Sequence, residues 1–390
     1  MAIVRIYTTT MISEPTYSAA RIVAESIESH FTHQLQAANS RSETQLAPQP
    51  PAYLIEAIID VAFWTSLRKE EGHSPKVSIA YLPPEKAGQP LIFTKTLKFT
   101  PDSIIKLAPA IEGAGIYLGV WNDGDTIYIW GTTRVIPAFC FVLDVSEPGL
   151  LVIKHRRISG FGKFVNVAVL KGDQIKIIDE RSDDIPDCPE MISSLLGFNN
   201  PASWSHAINI HVQLAVSMRA HKRGGILLVV PSAHDNWHDS IIHPINYQLT
   251  PLFCGLADLL KQDVNERDMT VWQEELNRSV ESVAGLTAVD GATLINDRHE
   301  LLAFGAKITR SAKSQRVERI LVTEPVLGVE PRIIHPGAEG GTRHLSAAQF
   351  VFDQRDAIAM VASQDGRFTI FSWSPCEDMV HAHRVDSLLL

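Results

Sequence analysis

Cysteine is scarce and scattered in this chain. Its four cysteines, Cys140, Cys188, Cys254 and Cys376, form no Cys-x-x-Cys pair in 390 residues. That pattern argues against a zinc ribbon and a disulfide-stapled scaffold. A positive excess is also lacking: 35 Lys and Arg face 44 Asp and Glu, a net charge of -9. Binding to nucleic acid through a broad basic surface is therefore not expected. No uninterrupted apolar run approaches the ~20 residues needed to span a bilayer. The opening Met1-Ala2-Ile3-Val4-Arg5 lacks the basic region and long apolar core of a secretory signal. Together these absences predict a cytoplasmic protein with no nucleic-acid partner and no membrane partner. What the chain does have is a 45% apolar fraction, with 20% charged residues. At this length such a composition predicts two folded domains.

The rhythm of the sequence changes along its length. Ala19, Ile22, Val23, Ile27 and Phe31 recur at helical spacing. The polar stretch 39–51 reads as a loop, and a second helix is expected from Tyr53 to Lys69, packing Leu54, Ile58, Val61, Ala62 and Trp64. From Lys76 to Asp179, short β-branched and aromatic runs alternate with turn signals such as Asn122-Asp123-Gly124-Asp125 and Lys171-Gly172-Asp173. A linker follows at Arg181–Glu190. Beyond it the pattern becomes α/β: a helix over Ser205–Lys222, the breaker Gly224-Gly225, and the continuous apolar strand Ile226–Val230. Leu252–Leu260 and Val271–Leu286 read as helices. Ala288–Ile295, Leu301–Ile308, Ile358–Ala362 and Phe368–Trp373 read as strands. The predicted class is α/β (mixed α+β): a C-terminal mixed sheet flanked by helices over residues 200–380, preceded by a mainly antiparallel β domain with a helical preface over residues 1–190. No internal repeat is visible in the sequence.

Two short segments about fifty residues apart carry the chemistry. Asp290-Gly291-Ala292 opens an apolar run, and Gly340-Gly341-Thr342-Arg343-His344 leads into Ser346-Ala347-Ala348-Gln349-Phe350, the start of a helix. Alone, the first is usually a turn and the second a solvated face. An acid at a strand end facing a glycine-rich, cationic helix N-terminus is what a metal-bound polyphosphate requires.

These residues, with the Arg223-Gly224-Gly225 opening and Asp356–Ser363, make the region from Ser205 to Trp373 resemble the diadenylate cyclase domain, whose members join two ATP into cyclic di-AMP. Trp130-Gly131-Thr132-Thr133-Arg134 and Gly162-Lys163-Phe164-Val165-Asn166 resemble, more loosely, the β-rich sensor region that precedes some of these domains. The resemblance implies Mg²⁺ or Mn²⁺ as cofactor, ATP as substrate, and a homo-oligomer with cyclase domains face to face. It assigns Asp290, Thr342, Arg343 and His344 to catalysis, with Asp290 and His344 at the metal. Gly291, Ala292, Leu294, Gly340, Gly341, Thr342, Arg343 and Ser363 would contact the nucleotide, Ala292 and Leu294 through the adenine or the nearby backbone. The chain departs from the family at two positions: Leu345 stands where a second arginine is usual, and Gln364 where glutamate is usual. Glu300, Glu339 and Asp365 are the carboxylates that could compensate. The alternative function is a degenerate cyclase domain that binds ATP or a cyclic dinucleotide as a sensor.

Two other constellations stand out in the sequence. His234, His238 and His243, beside Asp235 and Asp239, have some metal-ligand spacing, but the flanking prolines favour a polar loop. Lys154-His155-Arg156-Arg157, the most basic run, reads as a solvated strand end.

Overall fold

The N-terminal helices form where the apolar spacing predicts. A computed structural model describes residues 15–39, 46–113, 115–156, 164–179, 210–262 and 270–390. Helix α1 (Ser18–Asn39) buries Ala19, Val23, Ile27 and Phe31, while Ile22 faces solvent. Helix α2 (Ala52–Ser66) buries Leu54, Ile55, Ile58 and Ile59, and its Trp64 is left largely exposed. The Asp60 carboxylate on α2 accepts from the backbone N–H of Thr16 and Tyr17, both at 2.8 Å, which ties the start of α1 to α2.

The described residues gather into two compact units, one ending at Ile178 and the other taking in Asp179 and the chain from Ile210 onward. The first is an eight-stranded sheet in the order β2-β4-β3-β1-β5-β6-β7-β8. Its strands are β1 (Val77–Tyr81), β2 (Leu91–Lys98), β3 (Tyr117–Asp123), β4 (Thr126–Thr133), β5 (Phe141–Glu147), β6 (Leu150–Arg156), β7 (Phe164–Lys171) and β8 (Gln174–Ile177). Gly124 and Gly172, at φ of 55° and 60°, close the two predicted hairpins. The sheet is antiparallel except between β1 and β3, which run parallel. Helix α3 (Pro101–Ile111) lies between them in the chain. Its start is legible in Thr100-Pro101-Asp102, where Thr100 caps Ser103 N–H and proline takes the first helical position. The strand-like flanks hid that signal. The basic run is not solvated: Lys154 pairs with Asp144, His155 is buried, and Arg156 donates to the Ile136 carbonyl. Arg157, Gly162, Lys163 and the linker 181–190 lie outside the described residues.

The second unit holds a nine-stranded sheet in the order β10-β12-β11-β9-β15-β16-β17-β13-β14. Its elements are α4 (Ile210–Ala220), β9 (Gly225–Val230), β10 (Tyr247–Phe253), α5 (Gly255–Lys261), α6 (Thr270–Leu286), β11 (Ala292–Asn296) and β12 (Leu301–Ala306). They continue with β13 (Ile320–Thr323), β14 (Arg332–Ile334), α7 (Pro336–Glu339), α8 (Thr342–Asp353), β15 (Ile358–Ala362), β16 (Phe368–Ser374) and β17 (Met379–Arg384). Every residue of β9 is buried, as a central strand covered on both faces should be. Residues 205–209 of the expected helix lie outside the described residues. Leu252 and Phe253, expected to be helical, belong to the edge strand β10, and strands β13, β14 and β17 lie where the sequence pattern gave no expectation.

The two sheets share a plan that the sequence does not reveal. In each, a first central strand (β1 or β9) runs parallel to a later one (β3 or β11) reached through an edge strand and helix. The later strand then hairpins to its outer neighbour (β4 or β12). On the other flank an antiparallel strand (β5 or β15) opens a meander. The second unit differs by a long insertion between β12 and β15 that carries α7 and α8. Seven residues of chain separate the corresponding β4 and β5.

Candidate functional site at one end of the C-terminal sheet

Strand register places the motif residues side by side. Ala292 on β11 pairs with Ile226 on β9, and Gly225 on β9 pairs with Ala362 on β15. Asp290-Gly291, Gly224 and Ser363 therefore sit at one end of three adjacent strands, a span of about 10 Å at ~4.8 Å per strand. The chain can crowd here because of its glycines. A Cβ on Gly291, at φ 121°, would lie 2.5 Å from the Gly305 carbonyl carbon, so the Asp290 turn presses onto β12.

The insertion brings the second motif to this end. Glu339 closes α7 and is buried, held by Arg384 of β17 through paired contacts of 2.5 and 2.8 Å. Hydrogen bonding to Glu339 raises the Arg384 pKa further. Gly340 and Gly341 follow, and α8 starts at Thr342 with its first backbone N–H groups lacking helical acceptors. A cleft of about 380 Å³ opens there, lined by Gly340 to His344 and by Ser363, Gln364, Asp365 and Arg367.

Arg343 is the residue that joins the two motifs. A Cβ at Gly224 would come 2.9 Å from its Nη1 and 3.2 Å from the Ala362 carbonyl oxygen, so the guanidinium lies over the middle of the three strand ends. Its charge reaches Asp290. The Asp290 carboxyl is held below its ordinary pKa mainly by a 2.5 Å hydrogen bond from Lys307 and that ammonium's charge, with Arg343 contributing less. Asp290 is almost fully exposed.

The other motif residues divide. Thr342 and Gly341 are exposed at the helix start. The Ser363 N–H is taken by the Arg367 carbonyl in the turn between β15 and β16. His344 is a different case: its ring is 3% exposed, lies against Gly340 and stands 3.4 Å from Thr369 Oγ1. Burial lowers its pKa, so the ring is neutral and supports the glycine turn from beneath. Ala292 and Leu294 are core residues packed with Ile226 and Leu228 and leave no surface for adenine. An apolar surface missed by sequence reasoning lies next to Gly305, where the half-exposed Tyr247 ring stacks on Phe304 at 4.7 Å. The helix expected from Leu252 overlaps the end of that strand.

For a divalent ion the exposed Asp290 carboxylate fits, as a hard oxygen donor whose remaining coordination would come from phosphate and water. His344 fits poorly, since its nitrogens face Gly340 and Thr369. Among the described residues no group of three His, Cys, Asp or Glu side chains converges as a metal cluster. The histidine-rich segment includes a short 3-10 turn, Asn236–Ser240; His238 and His243 contact each other at 3.2 Å, and His234 pairs with Asp356. Leu345, where the resembled cyclase domains have arginine, packs on the core. Gln364 reaches back to the Arg223 carbonyl at 3.4 Å. Of the three compensating carboxylates, Glu339 is taken by Arg384 and Glu300 bonds Asn296 in the β11–β12 turn. Asp365 alone lines the cleft, paired with Arg367 at 3.3 Å.

Comparison with known families matches residues 44–134 to one described as "Probable sensor domain DACNV". The match covers α2 through β4 and supports an N-terminal sensor domain. Comparison with curated proteins gives no match. Among the described residues no helix is long and apolar enough to cross a membrane.

Proposed function

We propose that the C-terminal unit binds ATP at this strand end and, in a face-to-face homo-oligomer, joins two ATP into cyclic di-AMP and pyrophosphate, with the N-terminal domain adjusting its output. The observation that carries this reading is the convergence of Asp290, Arg343 and Ser363 over Gly224 at the end of β11, β9 and β15. A sensor domain of the matched family in the same chain adds support.

Each 3′-hydroxyl attacks the α-phosphorus of the other ATP, and the P–O bond to pyrophosphate breaks. Such reactions depend on positioning and charge neutralisation. The free N–H groups at the start of α8 and the Arg343 fork hold the triphosphate. Ser363 donates from the far strand end, and the Tyr247–Phe304 face offers a stacking surface to the base. Asp290 would hold Mg²⁺ or Mn²⁺ and orient the attacking hydroxyl. The ion, when bound, supplies charge neutralisation at the phosphates.

A second reading has its own support. Leu345 adds no cation and Gln364 adds no anion, which favours a unit that binds ATP or a cyclic dinucleotide without turnover. Incubating the full chain with ATP and Mn²⁺ distinguishes the two. Cyclic di-AMP that disappears in Asp290→Asn supports the cyclase. Bound nucleotide without product, and activity gained in the Leu345→Arg/Gln364→Glu double variant, supports the lapsed form.

A further inference from the structure

Lys307 has no place in the chemistry described so far, yet its ammonium lies where the divalent ion is needed. It stands 2.5 Å from Oδ2 of Asp290. Its backbone is fixed one residue past β12: the Lys307 carbonyl accepts from Ile242 N–H at 2.8 Å, and Ile241 and Ile308 form a bridge. Its side chain is half exposed and extends from that anchored base to Asp290. Arg343 adds a second positive charge near the same carboxylate. A divalent ion approaching Asp290 alone meets two cations and a single anion.

Resting on the nucleotide-site reading above, we infer that Lys307 is a positioning residue that occupies Asp290 in the empty site and makes metal binding depend on nucleotide. A triphosphate brings several negative charges to the cleft. It offers the Lys307 ammonium a new partner and reverses the local charge balance. The carboxylate is then released to the ion that arrives with the phosphates. Lys307 thereby prevents a bare ion from occupying the site.

The test is a Mn²⁺ titration of the full chain followed by electron paramagnetic resonance of free Mn²⁺, with and without a non-hydrolysable ATP analogue. Wild type should take up Mn²⁺ at this site only with the analogue. Without it, Lys307→Met should gain a site roughly tenfold tighter or more, the scale expected for removing a unit charge at contact distance. The gain should vanish in Lys307→Met/Asp290→Asn, and Lys307→Arg should behave as wild type. If Lys307→Met takes up no more Mn²⁺ than wild type while wild type binds the analogue with Mn²⁺, the inference is overturned and the nucleotide site stands. If wild type binds no analogue at all, the nucleotide site itself fails and the inference fails with it.

Discussion

The same sheet end is built twice in this chain and equipped differently. In the N-terminal unit the start of β1, the end of α3 and the end of β5 frame a cleft of about 240 Å³, lined by Lys76, Ser78, Glu112, Asp144 and Ser146 among others. In the C-terminal unit the turn after β15 and the insertion frame the larger cleft, and the insertion contributes two glycines, a helix start and Arg343. The charged groups lining the first cleft are already engaged, Lys76 with Glu112 at 3.8 Å and Asp144 with Lys154. Arg343, by contrast, lies exposed over backbone. The comparison teaches that the strand plan only provides an end to build on. On the proposed reading, the added segment supplies the means of holding a polyphosphate.

The largest effect should come from cations at corresponding places. Arg343→Ala is expected to weaken an ATP analogue by roughly 10- to 100-fold in calorimetry, the range for a lost charge-assisted hydrogen bond. Lys76→Ala should leave that affinity unchanged. Equal losses from both would break the distinction between the two clefts.

Glycines separate the units next. Gly340→Ala places a Cβ 2.4 Å from His344 Nδ1, so the ring and the turn above it must shift. A cost of about 1–3 kcal/mol in stability is expected, together with weaker nucleotide binding. Gly119→Ala in the first unit meets the Trp130 ring at 2.1 Å. It should destabilise that unit by a similar amount without altering nucleotide affinity. Thermal unfolding with and without the ATP analogue reads both effects.

How much of this was legible beforehand varies by element. The fully apolar β9, the amphipathic α1 and α2, and the hairpins closed by Gly124 and Gly172 follow from local pattern. Strands β13, β14 and β17 do not, because β17 interleaves His381 and His383 with its apolar residues and β14 is three residues long. The motif residues could be named through their resemblance to the cyclase family's motifs. Their roles could not: His344 is buried by the turn it supports, and Ala292 and Leu294 face the core. Lys307 and the Glu339–Arg384 pair depend on contacts across 17 and 45 residues of sequence, for which no local signal exists.

A smaller effect sharpens the energetic side of the comparison. Burial holds His383 near a pKa of about 3 and His211 near about 4, so both are neutral in the folded C-terminal unit. Unfolded, each would titrate near ~6.5. Below that pH the unfolded chain binds protons that the folded unit refuses. Their contribution is thus complete above ~6.5 and drains away as pH falls toward the folded values. The expected loss is on the order of 1 kcal/mol per histidine for each pH unit below ~6.5. Hydrogen exchange of β17 and α4 at neutral and mildly acidic pH should show it, with protection falling on acidification.

Photolabelling of the full chain with azido-ATP and Mn²⁺, followed by peptide mapping, tests most directly which sheet end holds the nucleotide. Label should fall in peptides containing Gly340–His344, Ser363–Arg367 or Tyr247, compete with unlabelled ATP, and fade in Arg343→Ala. Competable label confined to peptides around Lys76, Glu112 or Asp144 would contradict the assignment of the polyphosphate site to the C-terminal unit.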